Sequence, residues 1–297
     1  MTARLQLLTL PLLFFLTSLS FAEAEGASSP RQAQLLNGSG WQFVGYEDST
    51  KPPDIGTDAF NQAAWTDVEV PHSFQTRAAY STLTRGWYRR QVTVDPSAGG
   101  KELYLVFEGA ATLADVYVNG RHLGQHRGAY TRFVFDATKA LHVGKDNQLA
   151  VLINDSPADT TDCLPWSQTG LYKIWGGLYR NVWLVATSPV HIDPTDFAAP
   201  GVYLTPKDVS EKSAGLDIRV LLRNTSTTDA QAEVRARILD PGRERGQDAH
   251  RTRSSARRRA RHGGTFHHDR SAPALGGSER PRLSRRNERL HERTAGR

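Results

Sequence analysis

Short segments rich in β-branched and aromatic residues, turn residues at each boundary, and no stretch of helical period predict an all-β chain built from sandwich modules. The segments are "GWYRRQVTV" (86–94), "ELYLVFEG" (102–109), "ADVYVNG" (114–120), "YTRFVFDAT" (130–138), "NQLAVLIND" (147–155) and "RNVWLVAT" (180–187). None is long or helically periodic, which argues against βαβ units and favours a jelly-roll β-sandwich.

Before this body lies "MTARLQLLTLPLLFFLTSLSFAEAEG", with Arg4, an apolar run from Leu5 to Leu19, and small residues at Ala22 and Ala24. Residues 1–24 therefore read as a secretory signal peptide cut after Ala22 or Ala24, and the mature protein is expected to be exported, periplasmic or extracellular, without a membrane segment. Cys163 is the only cysteine, so no intrachain disulfide is available in that compartment, and the side chain is expected to be a buried small apolar group. No Cys/His grouping has zinc spacing, and neither a metal nor a cofactor is expected.

Within the body, residues 30–188, alternation assigns faces. Val116 and Val118 point to one side, with Asp115, Tyr117 and Asn119 on the other; Phe133 and Phe135 likewise oppose Arg132, Val134 and Asp136. Asn119-Gly120 is a hairpin signal, because both residues tolerate the positive φ of a type I′ turn, so Val116 to Leu123 is expected to be two strands and a turn. Trp87 is expected to cover the sandwich end, and Arg89 or Arg90 to pair with an acid. Trp41, Trp65 and Trp183 are assigned, like Trp87, to the core or the domain edges.

Pro189 and Pro194 interrupt the pattern, and a second module follows over 189–242, with strands expected at Leu216 to Arg223 and Gln231 to Leu239. An immunoglobulin-like sandwich opens this way, but it needs about 100 residues, so the module is expected to be incomplete. From Arg243 to Arg297 the composition changes: 16 Arg, no Lys, 6 acids, and Phe266, Leu275, Leu283 and Leu290 as the only large apolar side chains. The whole chain has 37 basic and 31 acidic residues, so residues 1–242 hold 21 and 25, net −4, and the overall +6 comes from the tail. Such a tail cannot build a core and is expected to be disordered. Arg, Ala, Gly and Pro without Lys, Ile or Tyr is the composition of a GC-rich gene in a wrong frame. A frameshift near Pro241 to Gln247 is favoured over an evolved basic arm, and no specific nucleic-acid partner is expected.

The blocks "LNGSGWQF", "VPHSF", "GWYRR", "ADVYVNG" and "GGLYRNVWL", in that order, resemble the N-terminal sugar-binding domain of glycoside hydrolase family 2, a galactose-binding-like jelly roll. The resemblance runs from about Leu35 to Thr187. Members include β-galactosidases, β-glucuronidases and β-mannosidases, so it implies hydrolysis of O-glycosyl bonds in β-glycosides, carbohydrate as the partner, and no redox or nucleotide cofactor. It also implies an order of jelly roll, immunoglobulin-like domain and (β/α)₈ barrel, with the two catalytic glutamates in the barrel. A barrel takes about 250 residues and this chain holds 55 after Gly242, so it is expected to be an N-terminal fragment without catalytic residues, inactive alone. Asn287-Glu288 imitates the family's acid/base pair but follows no apolar strand. Two other readings stay open: a stand-alone carbohydrate-binding module, and an interaction protein using exposed strand edges.

Sugars are held by aromatic faces and planar polar side chains on loops. The segment from Asn154 to Gly177 is the longest candidate loop and offers Asp162, Trp166, Tyr172 and Trp175 as carbohydrate-binding residues. Leu171 stands where the family resemblance places an acid, with Asp162 as its substitute. His72 is read as a structural histidine.

Overall fold

The computed structural model describes residues 31–76, 82–160, 163, 175–210, 213–234, 236, 256–260 and 265–276. The first module begins with β1 (Arg31–Leu35), β2 (Gly38–Glu47), a single-turn helix α1 (Asp58–Asn61), β3 (Thr66–Val70), β4 (His72–Ser73) and β5 (Leu83–Thr93). It continues with β6 (Glu102–Phe107), β7 (Leu113–Val118), β8 (Arg121–Arg127), β9 (Phe133–Asp136), β10 (Asp146–Asn154), β11 (Gly177–Leu178) and β12 (Val182–Thr187). A four-stranded sheet, β1-β12-β6-β9, packs on a six-stranded sheet, β3-β2-β5-β10-β7-β8, and β11 pairs with β4. Each of the six segments read as a strand contains one, and the two-sheet architecture is the predicted jelly-roll sandwich.

Alternation explains which side chains meet. From the six-stranded sheet Phe43, Tyr88, Val92, Val116, Val118 and Val151 point inward, and from the other Leu103, Leu105, Phe107, Phe133 and Leu184. Phe107 and Phe133 stack with centroids 4.7 Å apart. The outer face of the six-stranded sheet is apolar over its first half, because β5 also presents Trp87 there. Residues around α1 cover it: the Phe60 ring meets Trp87 edge-on at 5.2 Å, and the Trp87 indole N–H donates to the Pro53 carbonyl at 3.0 Å. Trp87 thus covers a sheet face and not the sandwich end, since its position on β5 opposite Leu152 directs it outward. Among the described residues neither Arg89 nor Arg90 pairs with an acid. Arg89 Nε donates to Gln42 and its guanidinium lies 4.0 Å from the Trp65 centroid, whereas Arg90 donates to the Leu36 and Asn37 carbonyls.

The hairpin from β7 to β8 turns at Asn119 (φ 51°) and Gly120 (φ 79°), as the Asn-Gly pair requires. Asn119 also fastens the turn to β10: its Oδ1 accepts from Gln148 N, and its Nδ2 donates to Asn147 Oδ1 at 2.8 Å. Asn147 is buried, and its Nδ2 faces the Val92, His142 and Lys145 carbonyls.

The second module contains β13 (Val190–Ile192), β14 (Val202–Lys207), β15 (Ser213–Asn224) and β16 (Ala230–Val234). β13 and β14 pair with successive parts of one edge of β15. A small core of Val190, Val220, Leu222, Ala232 and Val234 lies between these strands and β16. The arginine-rich region contains two further described strands. It supplies β17 (Ala256–Ala260), paired with β16, and β18 (Thr265–Gly276), paired with the other edge of β15. The physical reason is that a ladder is made by backbone N–H and C=O groups, so an open strand edge accepts a partner that has few apolar side chains. Cys163 is half-buried and not buried, because it lies in a loop and not on a strand facing the core.

The two modules share a polar junction. His191, buried, faces the Ser188 carbonyl through Nδ1 at 2.8 Å, which puts the proton there and makes Nε2 the acceptor for the Tyr104 hydroxyl at 2.9 Å. Thr225 Oγ1 donates to Glu102 at 2.7 Å beside it.

Two measurements check this description. Asn147→Leu should leave three carbonyls without their donor and lower stability by about 2–4 kcal/mol, seen as a lower urea midpoint at unchanged slope. Burial holds the His191 pKa below its ordinary value of 6.5, so the folded state binds this proton less readily than the unfolded chain. The resulting stability is full above about pH 6.5 and falls as pH drops through that value. His191→Gln should flatten the melting temperature between about pH 7 and 5, with the residual slope carried by His126, whose pKa burial also lowers.

Candidate functional site

Strand direction gathers the long loops at one end of the first sandwich. In the six-stranded sheet Asn154 lies between Arg85 and Leu113, and Leu113 opposite Arg127. In the other sheet Phe107 lies between Val182 and Phe133. The segments 74–82, 108–112, 128–132 and 155–176 therefore all leave from this end, and the loop from Asn154 to Gly177 has both feet on it.

The first foot is held by short polar contacts. Asn154 Nδ2 and Arg85 NH2 both donate to Asp159 Oδ2 at 2.8 Å, and Arg85 NH1 donates to the Asp48 carbonyl at 2.8 Å. The hydrogen bonds from Asn154 and Arg85 hold the Asp159 pKa below the usual carboxylate range. Asp155 accepts from Thr112 Oγ1 at 2.8 Å and from Gln75 Nε2 at 3.3 Å.

At the second foot the backbone passes too close for a side chain. A Cβ on Gly176 would stand 2.2 Å from the Phe74 ring, and one on Gly177 2.3 Å from the His72 carbonyl oxygen, at φ 143°. Gly177 and Ala111 exchange two backbone hydrogen bonds of 3.1 Å, and Gly176 N donates to Gln75 Oε1 at 2.7 Å. Gln75 also donates to the Leu83 carbonyl at 2.8 Å. One half-buried amide thus ties β5 to both feet of the loop. His72 Nδ1 lies 2.8 Å from the Tyr88 hydroxyl, its ring 5.3 Å from Phe43, which makes it a structural histidine.

Of the sugar-binding candidates, Trp175 stands at the second foot with 50 % of its surface exposed. Asp162, Trp166 and Tyr172 lie outside the described residues, as does Leu171. Tyr130, 52 % exposed on the neighbouring 128–132 segment, adds a second aromatic to the same end. Sequence reasoning missed Gln75, Thr112, Asp155 and Arg85. The quoted "VPHSF", "GWYRR" and "NQLAVLIND" lie beside or include Gln75, Arg85 and Asp155, but as strand and family blocks they carried no signal for this role. Among the described residues no group of three or more His, Cys, Asp or Glu side chains could hold a metal ion.

Gln75→Leu should release both feet. The expected result is faster hydrogen exchange at Asp155, Gly176 and Gly177, with β6 and β12 unchanged and global stability lower by about 1–3 kcal/mol. Unaltered exchange at these three amides would remove Gln75 from this role.

The family described as glycosyl hydrolases family 2, sugar binding domain, matches residues 44–188. A β-glucuronidase of Formosa agariphila is 28 % identical over 67 % of this chain and 22 % of its own length. A β-glucuronidase of Bacteroides fragilis is 33 % identical over 58 % of this chain and 25 % of its own length. The crystal structure of a putative β-galactosidase from Bacteroides fragilis superposes with TM-score 0.71 at 31 % identity, covering 83 % of this chain and 36 % of that one. The chain spans about a quarter of the length of the two curated relatives. Residues 44–188 are a sugar-binding domain of glycosyl hydrolase family 2.

Proposed function

We propose that this chain is the sugar-binding and scaffold part of an exported glycosidase acting on β-glycosides, and that by itself it binds saccharide without cleaving it. The observation that carries the reading is the family-2 sugar-binding domain over 44–188, whose loop-bearing end displays Trp175. An indole half in solvent is a platform for the C–H face of a sugar ring. The relatives, named as β-glucuronidases and β-galactosidases, support a β-linked hexopyranoside as ligand. Export is supported by the leader pattern of residues 1–24.

Cleavage of a glycoside needs a carboxylic acid kept protonated near neutral pH and a second carboxylate across the scissile bond. Asp155 and Asp159 serve this end differently. Both are acceptors of structural hydrogen bonds, and those on Asp159 push its pKa down, opposite to what a general acid requires. These carboxylates brace the loop.

Protein recovered from the exported fraction of an expressing cell should begin at Glu23 or Glu25 by mass spectrometry and release no nitrophenol from aryl β-galactoside or β-glucuronide. It should bind simple β-glycosides with Kd of about 1 mM, weakened about tenfold by Trp175→Ala. An uncut leader would overturn export, turnover of either substrate the non-catalytic reading, and affinity indifferent to Trp175 the loop site.

A further inference from the structure

The outer face of the six-stranded sheet is covered unevenly. Over β2 and β5 it lies beneath the residues around α1, with Ile55, Phe60 and Trp65 packed over Trp87 and Ala150. The β7–β8 hairpin lies beyond that cover, so Tyr117 stands at the step, half-buried, with its ring 5.5 Å from Trp87 on one side and 4.7 Å from the His122 ring on the other. Beyond it the hairpin carries a row of planar polar groups. His122 Nε2 is 2.9 Å from Asp115 Oδ1, Gln125 Nε2 donates to Asp115 Oδ2 at 2.9 Å, and Arg127 NH1 donates to Gln125 Oε1 at 3.2 Å. His122 and Asp115 keep 45 % and 19 % of their side-chain surface in solvent.

We propose that Tyr117, His122, Asp115 and Gln125 form a second saccharide-binding surface, for a neutral sugar, on the outer face of the β7–β8 hairpin and separate from the loop-bearing end. Two adjacent tilted rings make an apolar step the width of a pyranose C–H face. The groups next to it are held before any ligand arrives, which lowers the cost of ordering them on binding. Each Asp115 oxygen takes one hydrogen bond from its neighbours and has a second lone pair for a sugar hydroxyl, while Gln125 uses one of its two amide protons. The charges balance: Asp115 is linked through Gln125 to Arg127, and nearby Asp54 lies 3.9 Å from Lys51. With Asp115 and Arg127 joined through Gln125, and Asp54 set against Lys51, the surface suits an uncharged ring and not a uronate or phosphate.

The surface rests on the sugar-binding reading of the domain but not on its loop, so amide shifts in the full chain separate the two. Methyl β-galactoside, titrated to about 20 mM, should move the Tyr117, His122 and Gln125 amides. Tyr117→Ala and His122→Ala should each weaken that response at least about fivefold, and Trp175→Ala should leave it intact. His122 is largely exposed, so its replacement tests the site even if Tyr117→Ala disturbs folding. Hairpin amides that do not move, or that move equally in the His122 variant, overturn the proposal. Methyl β-glucuronide producing the stronger shifts overturns the assignment of a neutral sugar. Loss of the Trp175-dependent response with the hairpin shifts retained would remove the loop site and leave this one standing.

Discussion

The antiparallel ladder between β5 and β10 holds the first module together. It runs over nine residue pairs from Asp146 opposite Thr93 to Asn154 opposite Arg85, and each strand carries a further partner, β2 on β5 and β7 on β10. Because successive side chains on β5 point to opposite faces, the ladder builds two apolar layers at once, Tyr88 and Val92 inward and Trp87 outward. A one-residue slip would exchange these faces, putting Trp87 into the sandwich and Tyr88 under α1, so burial on both sides fixes the register. At its end the same ladder sets Arg85 and Asn154 side by side, where both reach Asp159.

The loop-bearing end follows from that register. The two feet of the segment from Asn154 to Gly177 need anchorage on the sandwich. Gln75 and the close approach of Gly176 and Gly177 to β4 and Phe74 provide it. Among the described residues the carboxylates of Asp155 and Asp159 take part in this bracing. The aromatic side chains, Trp175 and Tyr130, are left facing solvent.

The second module is attached differently. Among the described residues polar pairs join it to the first module, the buried Tyr104 with His191 and the half-buried Glu102 with Thr225. Such pairs are directional and set the angle between modules, but they are sensitive to protonation. β15, twelve residues long, has both edges occupied, and on one of them the partner comes from the arginine-rich region. Edge pairing there is indifferent to sequence, which separates strand formation from the apolar content that the composition measures.

What the sequence by itself determined is what is encoded locally. The two-residue alternation of 115–119 and 132–136 and the Asn119-Gly120 turn are written into neighbouring residues, so the strands of the sandwich were legible. The family blocks were legible for the same reason, since most of them are scaffold. Tertiary structure alone decided who meets whom. Arg89 or Arg90 was read as the partner of an acid, and the two meet an indole, an amide and carbonyls, because their strand positions aim them at those groups. Gln75 joins residues up to 101 positions away, a relation no local pattern records. The strands β17 and β18 were invisible because their pairing is made by the backbone, which every residue but proline supplies alike.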